Sequence, residues 1–415
     1  MLDDCLRRTD DYLRQRLLPF WIARAPEPRH GGFHTNYDRD GRRTAVTEKT
    51  LLCQARCLVT LAHAARLGWT WPGWEDWLRQ GVAFLEKAFR DPEHDGYVWI
   101  TASDGAWRDD RKVLYGHAFL IYAYSELAMA LGCPACRSRA EGLYDLVSSR
   151  AADHRHGGFL EHFTREWTVD AVRADGVVHK SLDVHMHLLE GFTALLELTG
   201  SPWHRRGLEQ ITELIFTRLV DPATGTGISM TSADWTPLPN LQLGTLWGSD
   251  RFEPAGKPVT ITSYGHNIEL AWLYLHSLDV LGRDRAEGLP RVAPIAEHTL
   301  RHGLDTEFGG LFTEGDRDAG PTEFTKEFWQ QAEALIGFLD AFELTGDERY
   351  LDAFRNVHDF VFNHMIHWEQ GEWFPLLDRD GTVLWDYMGH QWKICYHTIR
   401  SMCEVVIRLR RLSAA

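Results

Sequence analysis

No stretch of this 415-residue chain approaches 18 uninterrupted apolar residues, so the sequence offers no membrane span. Its start, Met1-Leu2-Asp3-Asp4, has neither a basic segment nor an apolar one. No signal peptide is therefore expected, and the cytoplasm is the expected compartment. Positive charge is in deficit: 44 Lys and Arg stand against 59 Asp and Glu, a net charge of −15. That argues against nucleic acid or an anionic membrane as partner. Cysteine is scarce as well. The seven cysteines are an odd number scattered through apolar segments, which fits a reducing compartment better than a disulfide framework. Cys133-Pro134-Ala135-Cys136 is a lone CxxC, without the second pair of a zinc site or the strand–helix context of a thioredoxin motif. Missing too are a GxGxxG between strand and helix, a Walker loop, a GxSxG elbow and an HExxH pair.

What the chain does have is aromatic bulk, with 17 Trp, 20 Phe and 12 Tyr, enough for a large core. It also has a repeat. Glycine followed by an apolar residue in a polar setting recurs at Gly32, Gly96, Gly158, Gly227, Gly310 and Gly371, in steps of 64, 62, 69, 83 and 61. A Leu-Gly or Leu-Thr-Gly stop recurs at Gly68, Gly132, Gly200, Gly282 and Gly346, in steps of 64, 68, 82 and 64. Two independent series share one period and stretch at the same interval, which marks an internal repeat. Each unit reads as a glycine turn, a strongly apolar helix and a more amphipathic helix that returns the chain. The apolar segments are 48–66, 114–131, 182–198, 264–281, 328–344 and 390–410. The amphipathic ones are 4–22, 74–89, 137–149, 203–219, 291–302 and 348–363. Six buried and six outer helices predict a closed ring of helical hairpins, an all-α (α/α)6 barrel forming one domain over 1–415. An open superhelix would give no reason to bury one helix of every pair so fully. The fourth unit is irregular, with 36 residues between Gly227 and Tyr264, and predicts a long lid loop over the mouth.

The turn-side ends of the apolar segments carry Arg56, Tyr115 with His117, His187 with Glu190, His266 with Glu269, Trp329 with Glu333, and Trp392, His397 and Arg400. A barrel without a site would place Leu and Ala there, because buried ionisable groups cost stability unless they are paired or functional. Tyr115, Trp247, Trp329 and Trp392 suit a polar ligand with apolar faces, such as a sugar ring. Histidines beside carboxylates suit acid–base chemistry near neutral pH. A histidine-rich cavity also invites a metal. However, His185 and His187 are two residues apart and face different directions on a helix, and no facial-triad spacing is present. No metal and no cofactor are expected. A paired-carboxylate glycosidase remains open, as does a sugar-binding protein without turnover.

These residues resemble the N-acylglucosamine 2-epimerase superfamily, which includes cellobiose 2-epimerases, mannose 2-epimerases and aldose–ketose isomerases. The likeness runs from Gly31-Gly32-Phe33 to Trp392-Lys393-Ile394-Cys395-Tyr396-His397. Its most specific pieces are Gly265-His266-Asn267-Ile268-Glu269, His187-Leu188-Leu189-Glu190, Leu114-Tyr115-Gly116-His117 and Trp329-Gln330-Gln331-Ala332-Glu333. The resemblance implies an (α/α)6 barrel and metal-independent proton transfer through a cis-enediol. It implies that His266 and His397 form the acid/base pair, with Glu269 tuning His266. His187 is implied to assist ring opening or bind O1/O2, and Arg56 to stabilise the enediolate. Tyr115, Trp329 and Trp392 are implied to touch the sugar, and Asp183, Trp247, Glu333 and Arg400 are expected in the same binding set.

Some positions depart from the family. Asp183 stands where relatives usually have Asn, which is expected either to raise the pKa of His187 or to alter which hydroxyl is bound. Phe328-Trp329 replaces a Trp-Trp pair, Ile394-Cys395 a Cys-Pro, and His185-Met186-His187 a Met-rich segment. The expected substrate is free mannose or glucose, epimerised at C2. A β-1,4 disaccharide or aldose–ketose isomerisation is the alternative, and the protein is expected to be a monomer or homodimer.

Overall fold

The computed structural model describes residues 2–173, 175–239 and 256–414. Trp247 and the middle of the expected lid lie outside the described residues.

The helices follow the repeat. The outer helix of the first unit is built from α1 (Leu2–Tyr12), a π-helical turn (Leu13–Leu17) and α2 (Leu18–Arg24). Then come α3 (Leu51–Arg66), α4 (Trp74–Ala88), α5 (Leu114–Leu131), α6 (Pro134–Arg150), α7 (Leu182–Thr199) and α8 (Pro202–Arg218). They are followed by α9 (Tyr264–Leu281), α10 (Leu289–His298), α11 (Phe328–Thr345), α12 (Glu348–Phe360) and α13 (Cys395–Ala414). The odd-numbered helices α3 to α13 are buried on nearly every side and form the inner ring. Each packs on the next, and α13 packs back on α3, so the (α/α)6 barrel closes. Gly132, Gly200, Gly282 and Gly346 end four inner helices in the left-handed conformation that lets the chain reverse.

Several expected boundaries move by a few residues. The last inner helix begins at Cys395 rather than 390, because Lys393 Nζ is drawn into the rim, donating to Met388 O at 2.8 Å. Trp392 therefore precedes the helix instead of riding on it. α6 and α8 begin earlier than expected, with Pro134 and Pro202 in their first turns, where a missing N–H costs nothing.

Short antiparallel strand pairs stitch each unit to the next around one end of the barrel, for example Lys112–Val113 to His162–Phe163 and His179–Ser181 to Met230–Ser232. Two register rules fix that rim. Two residues before an inner helix stands a buried lysine (Lys49, Lys112, Lys180, Lys326 or Lys393), ion-paired to Glu27, Asp91, Asp153, Asp305 or Glu372 at 2.8–3.4 Å. The fourth unit has Thr262 there, and its Asp221 takes Arg317 at 2.7 Å instead. The second rule concerns the fourth residue of each of the first five inner helices. Gln54, His117, His185, Asn267 and Gln331 accept the backbone N–H of Phe33, Tyr97, Phe159, Gly227 and Leu311. These side chains pin each glycine turn to its helix and satisfy amides that would otherwise be buried without a partner.

Candidate active site

At the rim end of the barrel is a cavity of about 190 Å³, lined by Arg56, Tyr115, Asp183, His187, His266, Glu269, Glu327, Phe328, Trp329, Trp392 and His397. Nine of the twelve expected site residues are in this lining. Glu333 and Arg400, expected to bind substrate, are not among these lining residues. Glu327 joins the lining without having been singled out from the sequence, and Phe328, noted there only as a departure from a Trp-Trp pair, joins it as well.

The register explains which side chains arrive. The sixth residue of each inner helix (Arg56, Phe119, His187, Glu269, Glu333 and Arg400) contributes to one layer across the barrel axis. The third residue of α9 and of α13, His266 and His397, stands one turn nearer the mouth. Trp329 lies against both rings, 4.6 Å from His266 and 5.7 Å from His397 between centroids.

A chain of hydrogen bonds runs across the floor. Arg56 Nη2 donates to Tyr115 Oη at 2.7 Å, and Tyr115 donates to Asp183 Oδ1 at 3.2 Å. His187 lies between two acids, with Nε2 3.2 Å from Asp183 and Nδ1 3.0 Å from Glu190. Tyr396 donates to both oxygens of Glu190, and Arg400 also binds Glu190. Arg400 then reaches Glu269 at 3.1 Å and Glu333 at 2.7 Å, and Glu333 accepts from His397 Nδ1 at 2.6 Å. Glu190 and Tyr396 belong to the motifs read from the sequence but had no role there. The three-residue step from His187 to Glu190, one turn of helix, was the available signal.

The electrostatics separate the three histidines. Burial would push His187 down, but Asp183 and Glu190 carry it up to about 9, so it is an imidazolium at neutral pH. Asp183 therefore raises His187 as expected. It also occupies Nε2, so His187 has no free nitrogen for substrate oxygens while Asp183 stays in place. His397 is pushed down to about 3 by burial, against the pull of Glu333, with Arg56 and Arg400 adding to the fall. His266 is lowered by burial as well, against the pull of Asp183. Both are neutral imidazoles, and the bond from His397 Nδ1–H to Glu333 leaves the Nε2 lone pair of His397 as a base.

Glu269 departs from its expected part. Its hydrogen-bond partner is Arg400 across the axis, and the carboxylate beside His266 is Asp183, 3.7 Å from Nε2. Burial and the nearby Glu333 carry Glu269 up to about 8. His117 is not a cavity residue. Nδ1 donates to Val113 O and Nε2 accepts from Tyr97 N–H, so its two rim bonds fix a neutral tautomer. His185 is held the same way by Ser181 O and Phe159 N–H.

Arg56 differs from every other buried cation near the site. It is 3% exposed and its Nε has no partner. It stacks over Phe119 at 4.4 Å and Tyr396 at 4.9 Å. Among the described residues no carboxylate comes within ion-pair distance of it. A buried guanidinium facing a cavity with only a phenol to bind suits a ligand oxygen that carries or develops negative charge.

The arrangement fits what known proteins offer for comparison. A cellobiose 2-epimerase of Bacteroides fragilis is 27% identical over 401 residues, covering 95% of this chain and 96% of that one. A D-mannose isomerase of Marinomonas mediterranea is 24% identical over 402 residues, with 94% and 95% covered. The solved cellobiose 2-epimerase of Spirochaeta thermophila superposes with a TM-score of 0.87 at 29% identity, covering 99% of this chain and 98% of that one. The protein is an isomerase-class enzyme of the sugar epimerase and isomerase kind. Residues 31–401 match N-acylglucosamine 2-epimerase (GlcNAc 2-epimerase) throughout, and the chain belongs to that family.

Proposed function

We propose that this enzyme epimerises a free aldose at C2, with mannose and glucose as the interconverted pair, by proton transfer between histidines through a cis-enediolate. The observation that carries this reading is the set of two neutral imidazoles, His266 and His397, against one indole, with the unpaired guanidinium of Arg56 in the same cavity. In the open-chain sugar one imidazole takes the C2 proton. The C–H electron pair moves into the C1–C2 bond, and the charge that gathers on O1 is stabilised by Arg56. The other imidazole, having taken up a proton from solvent, returns it to the opposite face of C2. His266, whose side chain is 27% exposed, exchanges its proton with solvent more readily than His397. Asp183, held ionised by His187, accepts a sugar hydroxyl, and Trp329, Trp392 and Tyr115 pack on the apolar faces of the ring.

The second reading is a cellobiose 2-epimerase, supported by relatives of that name at 25–29% identity along nearly the whole chain. It uses the same histidines on the reducing-end residue. Delivery of the proton to C1 instead of C2 would give a ketose and an aldose–ketose isomerase.

The test is a proton NMR time course in D₂O with mannose, glucose and cellobiose in turn. Loss of the C2 proton signal with growth of the 2-epimer is expected. The accepted sugar separates the first reading from the second, and ketose signals would select the isomerase. No exchange with any of the three sinks the proposal.

A further inference from the structure

Glu161, His162 and His179 form a second cluster, set in the rim strands away from the cavity lining. Glu161 leads into strand His162–Phe163, and His179 opens strand His179–Ser181, which runs into α7. One potential ligand atom from each lies within 4.8 Å of the others. All three residues are more than nine-tenths buried.

Two features set this cluster apart from ordinary buried histidines. His162 Nδ1 is a buried nitrogen without a hydrogen-bond partner among the described residues, and His179 Nε2 is a buried nitrogen whose one near group is the Glu161 carboxylate, 3.3 Å away. His117 and His185, equally buried, use both ring nitrogens. The second feature is charge. The rim acids Glu27, Asp91, Asp153, Asp305 and Glu372 each have a buried lysine. Glu161 has no lysine or arginine in ion-pair range among the described residues. Its contacts are Ser181 N–H, Ser181 Oγ at 2.9 Å, and the imidazoles of His179 at 3.3 Å and His185 at 3.8 Å. A buried carboxylate so placed lacks a fixed counter-charge.

We propose that Glu161, His162 and His179 bind one divalent transition cation of the zinc class, with water as the fourth ligand. Two imidazole nitrogens and one carboxylate oxygen are borderline donors that suit zinc over magnesium or calcium. Closing to zinc–ligand bonds of about 2.0–2.2 Å needs side-chain shifts on the order of 1 Å. The ion supplies the counter-charge and ties two rim strands of the third unit together directly before α7, which carries Asp183 and His187. It is a structural ion, and it is independent of the reaction assigned to the cavity. The cavity's own acidic group, Glu269, Glu333 and His397, is a poor rival because Arg400 already sits on both carboxylates.

The test is zinc titration of the chelator-treated full chain against a chromophoric competitor, with a melting curve at each end point. The wild type is expected to take one equivalent with micromolar affinity or better and to melt higher when loaded. His162→Gln removes a nitrogen that holds no hydrogen bond, so the fold survives, and affinity should fall by about 10–100-fold. Glu161→Gln should do the same, and His397→Asn should leave zinc affinity unchanged. Absence of a stoichiometric site would overturn the proposal. So would unchanged affinity in His162→Gln, or zinc lost in His397→Asn and kept in His162→Gln.

Discussion

Five histidines on four of the inner helices divide into two groups that differ by one or two positions of register. His117 and His185 stand at the fourth residue of their helices, and each spends both nitrogens on the backbone of a glycine turn. His187 stands at the sixth residue, and His266 and His397 at the third, and these face the cavity. Burial is nearly the same in both groups, apart from the more open His266. What differs is the partner: peptide groups hold the first set neutral, whereas carboxylates decide the charge of His187 and orient His397. A helix turns 100° per residue, so register rather than residue type separates staple from cavity residue.

The largest effect should come from exchanging the groups' fates. His397→Asn and His266→Asn are each expected to lower C2 proton exchange by about 10²–10⁴-fold with the fold intact. His117→Gln and His185→Gln should keep kcat near the wild-type value and lower the melting temperature. Loss of activity in His117→Gln without unfolding would break the comparison. Arg56→Met comes next, with kcat down by about 10²–10³-fold and melting little changed, since the side chain has no ion pair to lose. Arg400→Met should instead destabilise the fold by about 3–5 kcal/mol, because it strands the buried carboxylates of Glu190 and Glu333. The pair Glu333→Gln and Glu269→Gln sharpens the point. Glu333 holds His397, and its loss should cost more than tenfold in kcat. Glu269 carries a proton near neutral pH, so glutamine mimics it and should cost less than Glu333→Gln.

The smallest effect is on stability against pH, and it runs in opposite directions. His187 has a folded pKa near 9, above the ordinary 6.5, so its contribution is complete below about 6.5 and is lost as pH rises through 9. His117, lowered to about 4 by burial, destabilises as pH falls from about 6.5 toward 4, because the unfolded chain takes up the proton first. Melting curves should therefore lose part of their alkaline limb in His187→Gln and part of their acid limb in His117→Gln.

The glycine series revealed the barrel because turns and helix ends are local chemistry, and six repetitions average out local noise. The cavity set was also legible, since polar residues at the starts of apolar helices have few structural uses. Partnerships across the axis were not. Glu269 stands three residues from His266 and was expected to serve it, yet its partner is Arg400, 131 residues away. No spacing within one helix encodes a contact made by a helix on the other side of a ring. The buried lysines escaped for a different reason. A lysine before a helix reads as solvated, and only the fixed two-residue offset in five units betrays it. Trp247, expected to touch substrate, lies outside the described residues.

The cage around Arg400 has a consequence for the order in which the molecule is made. Glu190, Glu269 and Glu333 leave the ribosome before Arg400 does, and they converge on a point whose guanidinium arrives only with α13. Three acids facing one another in a closing barrel repel, so the nascent ring stays ajar until its last spoke delivers the guanidinium. The same helix brings His397. The proposed proton-transfer group and the closing guanidinium thus arrive on a single segment, and a chain stalled short of it would lack both.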